Sequence, residues 1–398
     1  MSRQKKKILF VIDSLSIGGA EKSLVTLLSM LDYEKYDVDL QLFAIWGKLL
    51  QFVPPQVNIL PEIPYIAFLR KPLKEQLKCL NPFRLLPGYV YSRLIRRNCY
   101  NLIETSCIYW KCLNPQIEKA GKRYDIAVGY GQGAPTMYVS DKVTAERKFT
   151  WINACYAPEG KYRDYLRRIY SAFHGIVPVS DSAKKIFSDI YPEFSDRMTV
   201  IWDIINPSII RKMSLLPTGI DFDRTKPVIV TLSRLDCNDK GMDITLQTAK
   251  ALKERGADAT WHIFGDGPYR RTMEEFIDDH GLSDFLFLHG AVSNPYPFLN
   301  AATVYVQTSR AEGFGISIAE ARLLDKPVVT TPYRGVENQI IPWKNGIVAS
   351  FSPEDIADKI TSLLSDRNLF NEITSYLKSE KKGNPEEINK VHRLFDQL

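Results

Sequence analysis

Apolar residues in this chain gather mostly into short runs of strand length. Residues 7–13 (KILFVID) form one such run, followed by Ser-Leu-Ser-Ile-Gly-Gly and then by apolar positions at helical spacing from Ala20 through Leu24, Leu27, Leu28 and Leu31. That order predicts a strand, a glycine turn and a helix. Residues 38–43, 124–130, 149–152, 175–179 and 198–202 read as further strands, and 181–190 as a helix. After an irregular polar stretch at 206–225 the pattern restarts with a strand at 227–232, a helix N-capped by Asp243 and closed by Gly256, and strands at 260–264, 285–289, 304–308 and 328–331. Mostly apolar strands alternating with helices predict parallel sheets covered on both faces. Two such α/β units predict a cleft between Rossmann-like domains, the usual place for a ligand in this class.

The chain has 398 residues, more than one hydrophobic core usually organises. The expected division is an N-terminal domain at 1–205, a C-terminal domain at 206–384, and a polar helix at 385–398 that crosses back to the first. With 45% hydrophobic and 25% charged residues the composition is that of a globular protein. The N-terminal apolar run is too short for a secretory signal and no run is long enough to span a bilayer, so a cytoplasmic location is expected. Six scattered cysteines without paired spacing read as reduced thiols.

Chemistry concentrates in Ser309-Arg-Ala-Glu312-Gly313-Phe314-Gly315-Ile-Ser-Ile-Ala-Glu320-Ala, with Lys-Pro-Val-Val-Thr beyond it. A buried strand, a glycine loop and a helix start in that order place free N–H groups and the positive end of a helix dipole where an anion such as a diphosphate can sit. Glu312 lies in the loop, and Glu320 lies one turn into the helix. Arg234 and Lys240 flank the turn after the first strand of the second domain. Two cations there can meet negative charge on a departing phosphate.

The Glu312–Glu320 spacing with Gly-Phe-Gly between resembles the retaining glycosyltransferases of family 4. Ser233-Arg234-Leu235 with Lys240-Gly241, Phe264-Gly265-Asp-Gly-Pro268, Val179-Ser180 and Gly18-Gly19-Ala20-Glu21 add to the resemblance, in order over nearly the whole chain. It implies a GT-B fold, with the donor nucleotide-sugar in the C-terminal domain and the acceptor on the N-terminal side. On that pattern Arg234, Lys240 and Glu312 carry the chemistry. Glu320 holds ribose, and Gly18, Gly19, Gly265, Gly313, Phe314 and Gly315 surround the donor. The resemblance departs at Trp151-Ile152-Asn153, where relatives commonly have histidine after the tryptophan and isoleucine. Asn153 can bond a sugar hydroxyl but holds no proton at neutral pH. No Asp-x-Asp pair stands at a strand end, so neither a metal nor any other cofactor is expected. The implied reaction moves a hexose-type sugar to a glycan or lipid-linked glycan, as in capsule, exopolysaccharide or lipopolysaccharide assembly. A non-hydrolysing nucleotide-sugar epimerase and a catalytically silent sugar-nucleotide or glycan-binding protein are the rival readings.

Charge changes this picture in one place. Residues 66–123, where the resemblance is weakest, hold twelve basic and three acidic residues, interleaved with leucines and aromatics. The segment reads as a basic, amphipathic insertion, with Arg93, Arg96 and Arg97 as its membrane- or acceptor-facing patch, and no nucleic-acid partner is expected. An anionic headgroup surface, with the protein peripheral on the inner membrane face, and a merely solvated helical face both fit the sequence.

Overall fold

The computed structural model describes residues 5–16, 18–78, 82–95, 102–154, 158–217, 222–223 and 225–396. They form two compact units, 1–202 with 387–398 and 203–386. Unit 1 opens with β1 (Lys6–Ile12), α1 (Gly19–Met30), β2 (Tyr36–Leu42) and β3 (Asn58–Ile59). The insertion follows as α2 (Pro64–Leu69), α3 (Leu73–Leu77), α4 (Pro82–Ile95) and α5 (Leu102–Leu113). Then come β4 (Arg123–Gly129), α6 (Ala134–Lys142), β5 (Thr144–Ile152), α7 (Gly160–Ser171), β6 (Gly175–Pro178) and α8 (Asp181–Ile190). Unit 2 contains α9 (Pro207–Ser214), β7 (Val228–Leu232), α10 (Met242–Glu254), β8 (Thr260–Phe264), α11 (Arg270–Asp279), β9 (Leu286–Leu288) and α12 (Tyr296–Ala301). It continues through β10 (Val304–Gln307), α13 (Ile316–Leu323), β11 (Val328–Thr330), β12 (Gly346–Val348), α14 (Pro353–Ser365) and α15 (Arg367–Ser379). The last helix, α16 (Ile388–Asp396), belongs to unit 1.

Each unit carries a six-stranded sheet, ordered β3-β2-β1-β4-β5-β6 and β12-β11-β10-β7-β8-β9, and every pairing between these strands is parallel. Counted within its own unit, each sheet has the order 3-2-1-4-5-6 of the doubly wound dinucleotide-binding fold. The strand order reverses between the first and fourth strands, so loops leaving β1 and β4 in unit 1, and β7 and β10 in unit 2, open beside each other. Strands covered on both faces need apolar side chains on both, which accounts for the apolar runs. All five residues of β7 are buried, as are the last five of β1.

Helix α16 closes the sheet of unit 1. Phe395 is fully buried, with its ring 6.2 Å from Phe10, 6.0 Å from Tyr36 and 6.0 Å from Phe149. Four details depart from the sequence reading. Residues 198–202 form no strand of the sheet, although a bridge from Met198 to Ile176 and N–H bonds from Thr199 and Ile201 to the carbonyls of Ile176 and Pro178, both 3.1 Å, run them beside β6. Short strands β3 (Asn-Ile) and β12 (Gly-Ile-Val) escape the pattern because each starts on a turn-type residue and offers only one or two apolar positions. The polar stretch after 205 contains α9, capped by Asn206, whose side chain accepts from Ser208 and Ile209 N–H ahead of Pro207 at the first turn, a start signal present in the sequence. Helix α10 is capped by Gly241, not Asp243: Asp243 is instead held by Arg310 through two 2.7 Å bonds. Ser180 of the Val179-Ser180 pair caps α8 by accepting from Ala183 N–H at 3.0 Å.

Candidate functional site in unit 2

The loops after β7 and β10 are stitched together at the point where strand order reverses. Gly241 has φ +62°, and a Cβ there would lie 2.2 Å from the Thr308 carbonyl oxygen, so only glycine lets the loops approach this closely. Thr308 Oγ1 bonds the Gly241 carbonyl at 3.0 Å and Thr245 Oγ1 at 2.7 Å. The N–H groups of Arg310 and Ala311 donate to the Asp239 carbonyl at 2.8 and 3.1 Å.

This stitching carries Lys240 onto Glu312, with 2.7 Å between Nζ and Oε1. Gln307 Nε2 donates to the same oxygen at 2.9 Å and Ser309 Oγ at 2.7 Å. The side chains of Lys240 and Glu312 are only 23% and 13% exposed, so the pair is shielded from bulk solvent on most sides. Arg234 is not drawn into it. That guanidinium is 44% exposed and lies 3.5 Å from Asp236 and 3.3 Å from Asp239, so the two cations expected to act together have different carboxylate partners.

Glu320 is 1% exposed and accepts from the Tyr296 hydroxyl at 2.9 Å, which excludes a solvated surface acid. Gly315 caps α13 with φ +82°, and a Cβ there would meet the Tyr333 hydroxyl at 2.8 Å. The carbonyl of Phe314 accepts from Gln339 Nε2 at 3.0 Å, and Gln339 Oε1 accepts from Arg322, itself 2.7 Å from Glu380. The Gly313-Phe314-Gly315 loop is thus tied to an internal ion network.

Gly265 serves backbone packing. A Cβ on it would stand 1.7 Å from the Ser233 carbonyl oxygen, while Leu235 N–H donates to the Asp266 carbonyl at 3.1 Å. Gly265→Ala is expected to destabilise unit 2 by about 3 kcal/mol, the upper range for forced overpacking, seen as a lower denaturation midpoint. An unchanged midpoint would show that the turn relaxes freely.

Unit 1 holds the other expected donor residues. Gly18 caps α1 in extended conformation, and the Glu21 carboxylate fills the space its Cβ would need. Gly19 opens the helix. Asn153 follows β5, and both its amide atoms are buried with no hydrogen-bond partner among the described residues. Buried polar atoms nearly always have partners, so this amide is a candidate for a ligand. The histidines beside the sheet ends have structural partners. His289 bonds His262 at 2.8 Å and stacks on Phe264, with burial lowering the pKa of both histidines, His262 to about 4. His174 accepts from the Lys148 N–H. Arg93 lies exposed on α4; Arg96 and Arg97 lie outside the described residues.

Gln307, Ser309, Tyr296 and Gln339 were missed by the sequence reading. Gln307 and Ser309 had a signal, being polar residues at the end of a buried strand. Tyr296 and Gln339 had none, since only the fold brings them to Glu320 and Phe314.

Residues 217–380, which contain Arg234, Lys240, Glu312 and Glu320, match the family model described as glycosyl transferases group 1. A solved structure of Anabaena HepE in complex with UDP-glucose superposes with a TM-score of 0.70 at 19% identity, covering 99% of this chain and 100% of that one. The fold is GT-B. Its two Rossmann-like units account for the repeated strand order found above. Among curated proteins, an alpha-D-kanosaminyltransferase of Streptomyces kanamyceticus is 31% identical over 147 residues, 36% of this chain and 38% of that protein. A poly(ribitol-phosphate) alpha-N-acetylglucosaminyltransferase of Staphylococcus aureus is 25% identical over 225 residues, 55% of this chain and 45% of that protein. The chain therefore spans less than half the length of these two relatives. Among the described residues, no helix is long and apolar enough to cross a membrane.

Proposed function

We propose that this chain is a retaining glycosyltransferase of the family 4 type, moving a hexose-type sugar from a nucleoside diphosphate to a glycan or lipid-linked glycan. A surface-polysaccharide pathway is the setting, and the acceptor is presented at an anionic membrane surface. The reading rests on the Lys240–Glu312 pair, set where the strand order of unit 2 reverses and inside the segment that matches the glycosyl transferase model. Open α/β sheets bind ligands at that crossing of strand ends.

In the proposed reaction the bond between the anomeric carbon and the diphosphate oxygen breaks, and the acceptor hydroxyl attacks the same face. Its proton passes to the departing phosphate oxygen, so no protein base is required. Lys240 and Arg234 meet the charge that grows on the diphosphate, an electrostatic task that gains from a preorganised, shielded site. Glu312 lies by the donor sugar and holds Lys240 in place. Glu320 accepts from the ribose, and the helix start at Gly315 takes phosphate oxygens. In unit 1 the Asn153 amide, without a partner among the described residues, bonds a sugar hydroxyl.

Incubation of the purified chain with UDP- and GDP-sugars, without and then with acceptor glycans, tests the reading. Release of nucleoside diphosphate and an unchanged anomeric configuration by NMR are expected. Binding without turnover would favour the silent protein, and inversion at C2 of the sugar the epimerase. With cations in the place of a metal, turnover in excess chelator is expected to equal turnover with added Mg²⁺ or Mn²⁺. Loss of most activity on chelation would overturn that assignment.

A further inference from the structure

The helical insertion of unit 1 leaves its apolar residues in an unusual place. Among the described residues, half of the large apolar side chains that stand exposed fall between residues 73 and 102. Leu86, Val90 and Leu94 on α4 are 55%, 37% and 40% exposed. Their spacing of four residues aligns them along one face of the helix. Phe83, 75% exposed, continues that face toward the N-terminus, and on α3 Leu73 and Leu77 are 67% and 53% exposed, again one turn apart. The opposite side of α4 is the one that packs: Leu85 and Tyr91 lie against the core of unit 1, with the Tyr91 ring 5.3 Å from Tyr109. The helix therefore already has its buried face, and the outer stripe is a second apolar face.

Cations accompany the stripe along the chain. Lys71, Lys74 and Lys78 on and beside α3, and Arg93 on α4, are all exposed, against Glu75 as the acidic residue between 71 and 95. A solvated helical face needs no leucines, and a nucleic acid would be met by cations and aromatic rings without an aliphatic stripe. Exposed aliphatic side chains with a cationic flank match one partner, a bilayer surface whose headgroups take the charge while the upper acyl region takes the leucines.

We propose that α3 and α4 form a membrane-docking face, with Leu86, Val90 and Leu94 entering the headgroup layer of an anionic bilayer and the lysines of α3 resting on its phosphates. This rests on the reading that the acceptor is presented at a membrane, and it assigns that contact to the aliphatic stripe as well as to the charges.

The test uses the full chain and vesicles of phosphatidylcholine with or without phosphatidylglycerol. The wild-type chain is expected to sediment with the anionic vesicles. The triple variant Leu86→Ser, Val90→Ser, Leu94→Ser is expected to bind at least tenfold more weakly with an unchanged melting temperature, because the side chains replaced are exposed. Lys71→Glu with Lys74→Glu and Lys78→Glu is expected to lose binding that depends on phosphatidylglycerol. Leu86→Trp, which keeps an apolar side chain, is expected to shift its fluorescence to the blue on anionic vesicles and not in buffer. Absence of wild-type binding, triple-variant binding equal to wild type, or no blue shift overturns the proposal. So does a wild-type dimer that the triple variant converts to monomer, since a second copy would then cover the stripe. Donor hydrolysis without acceptor is measured alongside: vesicle binding as expected with no turnover of any nucleotide-sugar would sink the glycosyltransferase reading and leave the docking face standing.

Discussion

Replacing Lys240 by alanine is expected to lower kcat about 100-fold, the scale for losing one preorganised electrostatic stabiliser. The ammonium meets charge that increases as the glycosidic bond breaks, so its loss falls on the transition state more than on the bound donor. The geometry adds a second effect. Glu312 Oε1 receives Lys240, Gln307 and Ser309, and removing the lysine leaves a shielded carboxylate without that cation. Lys240→Ala should therefore also lower thermal stability, because an ion left without its partner is costly when poorly solvated. Adding Glu312→Gln to Lys240→Ala separates the two. The glutamine carries no charge to desolvate, so stability should recover while kcat stays low. Recovery of both together would make Lys240 a structural counter-ion, and a rise in donor KM alone would show that it binds ground state and transition state equally.

Glu320→Gln is expected to raise the donor KM about tenfold or more, the worth of a hydrogen bond to a charged acceptor, and to leave kcat within about tenfold. Ribose contacts stay the same while the sugar departs, so they contribute uniform binding. The carboxylate is well placed for this, since the Tyr296 hydroxyl at 2.9 Å fixes one oxygen. Tyr296→Phe should raise KM in the same direction by less, because it frees the carboxylate without removing it. Assays of both variants need the same donor and acceptor as the Lys240 series. Collapse of kcat in Glu320→Gln, with KM unchanged, would place α13 nearer the reacting bond and reverse the two roles.

The α/β class and ten of the twelve strands were legible in the sequence because strands buried on both faces write mostly apolar runs of strand length, set between turn residues and helical periods. The chemistry of the 309–321 segment was legible for a related reason: a buried strand, a glycine turn and a helix start, with two glutamates in fixed places, are all local. What sequence order could not decide was partnership. Arg234 and Lys240 are six residues apart and look alike, yet Lys240 is carried to Glu312 and Arg234 turns to Asp236 and Asp239. That choice depends on Gly241 meeting the Thr308 carbonyl across two loops far apart in the chain. Asp243 had the composition of a helix cap, but a left-handed Gly241 already turned the chain into α10 and Arg310 claimed the carboxylate. The leucines of the insertion read as ordinary amphipathic material, because the spacing of apolar residues says which share a helix face and not whether anything covers it. Only the packing of α4, with Tyr91 turned inward and Leu86, Val90 and Leu94 turned out, distinguishes a core face from an exposed apolar one.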